Sequence, residues 1–209
     1  MSDIPIEILT YKDRKLTAAM LRTDLKPSVL VEVEKEWGPL RIGASRKIYQ
    51  AGRKEDVPRH WHWDWGEKSK KLEMIAYKCF GIECAQKMQG LLLVMVAGKY
   101  ARLEPDKGKE LVYVDYLESA PWNVKPIVDE PQYAGIGAVL MRTAVQLSYD
   151  EGFHGRVGLH ALDQAESFYR NKCGMQKYGP DPDYHNLPYY EMTREIAARF
   201  TSNSNGGGV

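Results

Sequence analysis

The chain has 209 residues, 44% apolar and 27% charged, enough for one globular domain that buries a sizeable core. Its 29 basic and 28 acidic residues leave a formal net charge of +1, which excludes a global field that recruits nucleic acid or an anionic membrane; neither is expected as a partner. Cys79, Cys84 and Cys173 are odd in number and lack zinc-ligand spacing, which argues against a disulfide framework and for a reducing, cytoplasmic setting.

In chain order, the N-terminal stretch lacks the charged start and apolar run of an export signal, and the longest apolar run, residues 91–97, is too short to span a bilayer. Residues 4–9 and 16–21 read as two strands around a polar turn, with apolar alternation at Ile4, Ile6 and Ile8. Residues 27–67 give a short helix over 29–37 and then a loop rich in charge and tryptophan. Over 68–80 the spacing of Leu72, Ile75, Ala76 and Cys79 predicts a helix that Gly81 stops. Residues 82–84 and 90–96 are expected as neighbouring strands, and 110–117 as a further strand.

Pro121, Pro126 and Pro131 exclude regular structure over 119–132 and predict a long loop. A helix over 137–151, a strand over 155–159, a helix over 163–172 and a strand over 189–193 follow. Strands alternating with helices across this half give an α/β (α+β) sheet domain. The polar, glycine-rich residues 201–209 are expected to be a disordered tail.

Two glycines, Gly135 and Gly137, stand where the apolar face of the 137–151 helix begins. The first four amides of a helix lack internal partners and carry partial positive charge, so such a start cradles phosphate, while glycine lets backbone approach a ligand closely. A tight turn with no ligand accounts equally for the two glycines. A dinucleotide fingerprint needs a third glycine where Leu140 stands, and a Walker-type loop needs Gly-Lys-Ser/Thr, which is absent.

The fuller string Gln132-Tyr133-Ala134-Gly135-Ile136-Gly137 resembles the Q/R-x-x-G-x-G/A signature of the GCN5-related N-acetyltransferases (GNAT). Ala165, the pair Phe168-Tyr169 and the pair Gly174-Met175 are similar to the family's next helix. Two departures stand out: Leu162 occupies the position where the family commonly has Asn, and Tyr169 precedes Gly174 by five residues rather than the usual four, so the helix end holds an extra residue.

The resemblance implies a mixed, mostly antiparallel central sheet flanked by helices, with a splayed central strand. It also implies a single acyltransferase domain over 1–200, with an acceptor-side part at 1–80 and an acyl-CoA-binding core at 81–195. The cofactor would be acetyl-CoA, its pyrophosphate held by the backbone of Gln132, Tyr133, Ala134, Gly135, Ile136, Gly137 and Ala138. Main chain at Leu117 and Ser119 would meet the pantetheine arm. The partner would be a small-molecule or peptide amine, and the protein a monomer or homodimer.

Acetyl transfer to an amine needs the amine neutral, the carbonyl polarised and the leaving thiolate protonated. By resemblance Tyr169 is the candidate general acid, since a phenol holds its proton at neutral pH; a packed core tyrosine is the alternative. Asp115 is the candidate base on the central strand, with Glu118 on the opposite face if alternation holds. Both could equally be structural.

The residues 59–71 invite a further reading, since in an extended chain His60, His62 and Asp64 share one face as metal ligands. No fourth ligand accompanies them, and no metal is expected. Trp61, Trp63 and Trp65 read as a packing cluster or as acceptor-pocket walls, with Trp63 and Trp65 the candidate contacts. Trp122 and Asn123, directly after the central strand, are candidate acceptor contacts or a rigid turn. The rival functions are a non-catalytic acyl-CoA-binding or protein-interaction module and, more distantly, a metal-dependent hydrolase.

Overall fold

Alternation at Ile4, Ile6 and Ile8 lays β1 (Ile4–Thr10) against β2 (Leu16–Arg22) as an antiparallel pair, Ile4 opposite Leu21 and Leu9 opposite Leu16. The computed structural model describes residues 3–202. Next comes α1 (Pro27–Gln50), far longer than the expected 29–37 helix. Its proline at the first helical position is pre-set for helix, and Leu30, Val33, Trp37, Arg41, Ser45 and Ile48 recur at three and four residues to form its buried stripe. Gly38, Pro39 and Gly43 obscure this length in the sequence. Pro39 is exposed, where its missing N–H costs least.

A short α2 (Trp65–Ser69) follows, its first turn capped by Asp64, whose side chain accepts from the Glu67 N–H at 3.0 Å. The helix expected over 68–80 does not form. Instead a 3-10 turn, Lys70–Glu73, leads into β3 (Tyr77–Cys84), which pairs antiparallel with β2. Ile75, which would anchor the apolar face of that helix, is 99% exposed. Gly81 is no stop. It lies inside β3, where a Cβ would come within 2.6 Å of Met88 Sδ and 2.9 Å of Leu25 Cδ1, so those side chains pack over the glycine and would have to shift to admit a larger residue. The expected strand at 82–84 is the end of this longer one.

Ala85 and Gln86, both at positive φ, turn the chain into β4 (Lys87–Met95), and β5 spans Val112–Ser119. The loop after β5 contains one 3-10 turn, Pro121–Asn123, then the two-residue β6 (Tyr133–Ala134), α3 (Ile136–Asp150) and β7 (Val157–His160). The helix expected over 163–172 is broken into a 3-10 turn, Asp163–Ala165, and a π-helix, Phe168–Lys172. The unanticipated β8 (Gln176–Asp181) pairs with β9 (Leu187–Met192), and α4 (Arg194–Ser202) closes the described chain. Thr201 and Ser202, expected in the tail, belong to α4; the rest of that tail, 203–209, lies outside the described residues.

The sheet has nine strands in the order β6-β1-β2-β3-β4-β5-β7-β9-β8. β1 pairs antiparallel with β2 and β6, β2 with β3, and β9 with β7 and β8, whereas β5 and β7 run parallel over Val112↔Val157 to Val114↔Leu159. β5 continues to Ser119 beyond the last of these pairs, so the sheet is mixed, mostly antiparallel and carries a splayed central strand.

Two compact units result. Among the described residues, the first holds the chain up to Leu92 with Leu117–Gly137, and the second Leu93–Tyr116 with the chain from Ala138 to Ser202. The core of the first includes Leu30, Trp37, Trp65, Ile82, Leu91 and Leu92; that of the second includes Val112, Leu140, Ala144, Val157, Leu159 and Tyr190. Among the described residues no helix is long and apolar enough to cross a membrane.

Candidate active site

In the first unit, α1 presents Glu34 and Arg41, seven residues apart and so on one face, to the segment 60–65 and to Glu118. Arg41 is fully buried. Its Nη1 donates to Glu118 Oε1 at 3.0 Å, Nη2 to Glu34 Oε1 at 2.8 Å, Nε to the Trp61 carbonyl at 3.3 Å, and Nη2 also to the Trp63 carbonyl. The guanidinium thus joins two carboxylates to the tryptophan segment, which is how a buried arginine is tolerated. Trp65 completes the cluster, its indole N–H donating to Glu118 Oε2 at 2.6 Å and its backbone N–H to Glu34 Oε2 at 2.9 Å.

Burial pushes the Glu118 carboxyl up to about 7, against the opposing pull of Arg41 and the Trp65 hydrogen bond. Beside it, His60 is pushed down to about 4, first by burial and then by the Arg41 charge, so its ring is neutral. His60 Nε2 lies 3.5 Å from Glu118 Oε1 yet has no hydrogen-bond partner among the described residues. A buried polar atom without a partner is uncommon in folded proteins.

Residues 58–63 are turned, with the Trp61 N–H bonded to the Pro58 carbonyl and the Trp63 N–H to that of His60. The extended geometry that would align His60, His62 and Asp64 is therefore not adopted, and Asp64 is used as a helix cap. Among the described residues no three His, Cys, Asp or Glu side chains are grouped as metal ligands. Trp63 is half-buried against His60 at 5.4 Å between ring centroids, with Lys68 Nζ 5.1 Å from its ring. Trp65 is wholly buried.

The glycine turn lies between β6 and α3. Gly135 has φ +79°, a conformation that favours glycine, and an added Cβ would meet nothing within 4 Å. The residue is there for its backbone angle, and the space beside it is open. The amides at the start of α3, from Ile136 to Ala138, have no intrahelical acceptor. The loop ahead is fastened: Asn123 Oδ1 accepts from the Tyr133 N–H at 3.0 Å, and the Trp122 carbonyl from the Gln132 N–H at 3.1 Å. Gln89, buried on β4, holds Asn123 Nδ2 at 3.0 Å and Trp122 Nε1 at 2.8 Å through its Oε1. Trp122 and Asn123 thus shape the approach to the turn.

Leu117 and Ser119 are half-buried at the end of β5, past the paired part of that strand. In the second unit Asp115 is half-buried, one residue beyond the last β5–β7 pair. Tyr169 is buried next to Phe168 and Tyr190, with ring centroids 5.1 and 6.4 Å away, and burial raises its pKa well above the ordinary phenol value. The π-helix explains its odd spacing. Cys173 N–H bonds the Phe168 carbonyl, five residues back, at 3.1 Å, so the turn absorbs the residue that separates Tyr169 from Gly174 by five instead of four.

Of the residues singled out in the sequence, Trp63, Trp65 and Glu118 are brought together around Arg41, and Trp122 and Asn123 around Gln89, with the Tyr133 N–H bonded to Asn123. The reading missed Arg41, Glu34 and Gln89. A signal for Arg41 existed: the α1 stripe Leu30, Val33, Trp37, Arg41, Ser45 and Ile48 places a charge where an apolar residue belongs.

Solved structures with this fold include an acetyltransferase of the GNAT family from Listeria monocytogenes, at TM-score 0.51 and 12% identity over 89% of this chain and 98% of its own. An N-acyl amino acid synthase from uncultured soil microbes gives 0.50 at 14% identity, over 83% and 89% of the two chains. The PaiA N-acetyltransferase of Thermoplasma acidophilum, solved in complex with coenzyme A, gives 0.50 at 14%, over 84% and 98%. No protein-family model matches the sequence, and no curated protein does. The likeness is one of fold: the chain has the sheet and helix arrangement of the GNAT acetyltransferases.

Proposed function

We propose that the chain is a single acyltransferase domain that moves an acetyl group from acetyl-CoA to a small-molecule or peptide amine by direct attack in a ternary complex. The observation that carries this reading is the turn at Gly135, held at positive φ with open space beside it, opening α3 directly after β6 in a GNAT-type fold. An N-terminal helix end reached through glycine suits a diphosphate, and backbone from Gln132 to Ala138 would hold that part of the cofactor. Main chain at Leu117 and Ser119, freed from β7, would take the pantetheine arm as a strand takes a neighbour. Acetyl-CoA, when bound, supplies the activated acyl group.

The chain's own groups then manage protons. Glu118, with a carboxyl pushed up to about 7, is the candidate acceptor of the amine proton, and the neutral His60 Nε2 beside it offers a further hydrogen bond. Asp115 is the other candidate base on the same strand. Tyr169 Oη keeps its proton, because burial raises its pKa, and is the candidate donor to the leaving sulfur.

Calorimetric titration with coenzyme A, followed by thiol release from acetyl-CoA across a panel of amines and peptides, tests this. Binding with acceptor-dependent release is expected, and no binding at millimolar cofactor would end the reading. One observation favours a second reading, a non-catalytic acyl-CoA-binding module: both oxygens of Glu118 are already hydrogen-bonded, to Arg41 and to Trp65. Cofactor binding without turnover on any acceptor would select it.

A further inference from the structure

The second unit contains a cavity of about 460 Å³ whose wall includes Lys99, Arg102, Lys107, Tyr113, His160 and Tyr189. Its chemistry is unlike that of a core. Lys99 Nζ lies 4.7 Å from the Tyr113 ring centroid and 5.0 Å from that of Tyr184, and donates to the Tyr184 hydroxyl. Among the described residues no carboxylate forms an ion pair with it. Arg102 lies 4.3 Å from the Tyr189 centroid and pairs through Nη1 with Asp181 Oδ2 at 2.7 Å.

His160 fixes this wall. Its Nε2 is 3.0 Å from Asp181 Oδ2 and its Nδ1 2.8 Å from the Tyr113 hydroxyl. The carboxylate only accepts, so Nε2 carries the hydrogen and donates, and Nδ1 accepts a hydrogen bond from the Tyr113 hydroxyl. Burial holds the imidazole below its ordinary pKa, so it adds no charge. Its ring stacks on Tyr184 at 3.8 Å and 6°. Glu191, buried behind, is occupied by the Tyr189 hydroxyl at 3.0 Å and by the backbone N–H groups of Arg102 and Leu103 at 2.7 and 3.2 Å. Among the described residues, the cavity wall therefore carries three cations and no carboxylate, between tyrosine faces, with Asp181 engaged by Arg102 and His160 and Glu191 by Tyr189 and backbone N–H groups.

We propose that this cavity is a binding site for a small ligand that carries both an aromatic ring and an anionic group, carboxylate or phosphate. Surplus positive charge from Lys99 and Lys107 repels a cationic ligand and gives an anion charge-assisted hydrogen bonds. The tyrosine walls are large apolar faces that a bare inorganic anion leaves uncovered and a ring covers by offset or edge contact. A volume of about 460 Å³ lies in the range that accepts such molecules.

The test is calorimetric titration of the full chain, without coenzyme A, using benzoate, phenyl phosphate, benzylamine, acetate and inorganic phosphate. Benzoate or phenyl phosphate is expected to bind, the tighter of the two identifying the anion, with acetate, inorganic phosphate and benzylamine at least about tenfold weaker. In the Lys99→Met/Lys107→Met variant, checked for native circular dichroism, affinity should fall at least about tenfold, a change of about 1.4 kcal/mol. Arg102 is left in place because it holds Asp181. The proposal is overturned if neither ring anion binds at millimolar concentration, if benzylamine binds as well as benzoate, if the bare anions match the ring compounds, or if the double variant binds benzoate undiminished. None of these outcomes depends on acyl transfer.

Discussion

Trp65 donates its indole N–H to Glu118 Oε2 at 2.6 Å while Arg41 holds Oε1 at 3.0 Å, so a carboxylate on the central strand is clasped by a tryptophan and a buried arginine. The tryptophan-rich segment is thereby anchored on α1 through its Trp61 and Trp63 carbonyls as well as its ring. The position of one side chain, Arg41, decides the shape of this region. Its neighbours titrate in opposite senses.

Glu118 and His60 give stability slopes of opposite sign. The folded Glu118 carboxyl, at about 7, lies above its ordinary 4.5, so the folded state keeps a proton the unfolded chain releases; this contribution falls as pH rises from about 4.5 to about 7. The folded His60, at about 4, lies below 6.5, so its contribution rises with pH across about 4 to 6.5. Each is worth at most about 3 kcal/mol, and together they largely cancel. Urea unfolding between pH 4.5 and 7 should give a shallow profile for the parent chain, a rising one for Glu118→Gln and a falling one for His60→Gln. Three identical profiles would contradict these shifts.

Arg41→Met should destabilise by about 3–5 kcal/mol, because it leaves Glu118 and Glu34 without their shared cation in a buried place. Arg41→Met/Glu118→Gln should recover part of that loss, since the more deeply buried of the two stranded carboxylates is then replaced by a neutral amide. A double-mutant cycle by urea unfolding measures the coupling; additive losses would show that the two residues act independently.

The residues also explain what was legible. Period-2 alternation identified β1, the polar turn after it the partner strand β2, and the glycine turn with the apolar face behind it α3, because local pattern and tertiary packing agree there. They disagree over 68–80. Leu72, Ile75, Ala76 and Cys79 have helical spacing, yet pairing with β2 claims Tyr77 onward for a strand and leaves Ile75 in solvent. Arg41 escaped because Gly38, Pro39 and Gly43 hide the helix in whose stripe it stands, and Gln89 because a polar residue in a strand declares no burial; their partners, Glu118 and Trp122 among them, are supplied from distant positions. The spacing from Tyr169 to Gly174 was legible as an insertion, and its solution, a π-turn, required coordinates.

Tyr169→Phe removes only a hydroxyl from a side chain packed between Phe168 and Tyr190. If that hydroxyl protonates the leaving sulfur, kcat should fall by about 10²–10⁴ while the KM for acetyl-CoA changes little. Steady-state thiol release on the best acceptor measures this. An unchanged kcat would make Tyr169 a packing residue and leave the cofactor assignment standing.

Gly135 separates backbone strain from steric block. Because a Cβ there meets nothing within 4 Å, any cost of substitution comes from holding φ at +79°, about 1–2 kcal/mol for an ordinary residue and less for asparagine, whose short polar side chain visits this region. Gly135→Asn should keep nearly the parent stability, whereas Gly135→Val, β-branched and strained, should distort the turn and the start of α3. Coenzyme A affinity should follow the same order, weakened at least about tenfold in Gly135→Val and much less in Gly135→Asn. Calorimetric titration of both variants, with unfolding curves alongside, makes the comparison. A valine variant that binds coenzyme A like the parent would mean that the α3 amides are not what holds the cofactor.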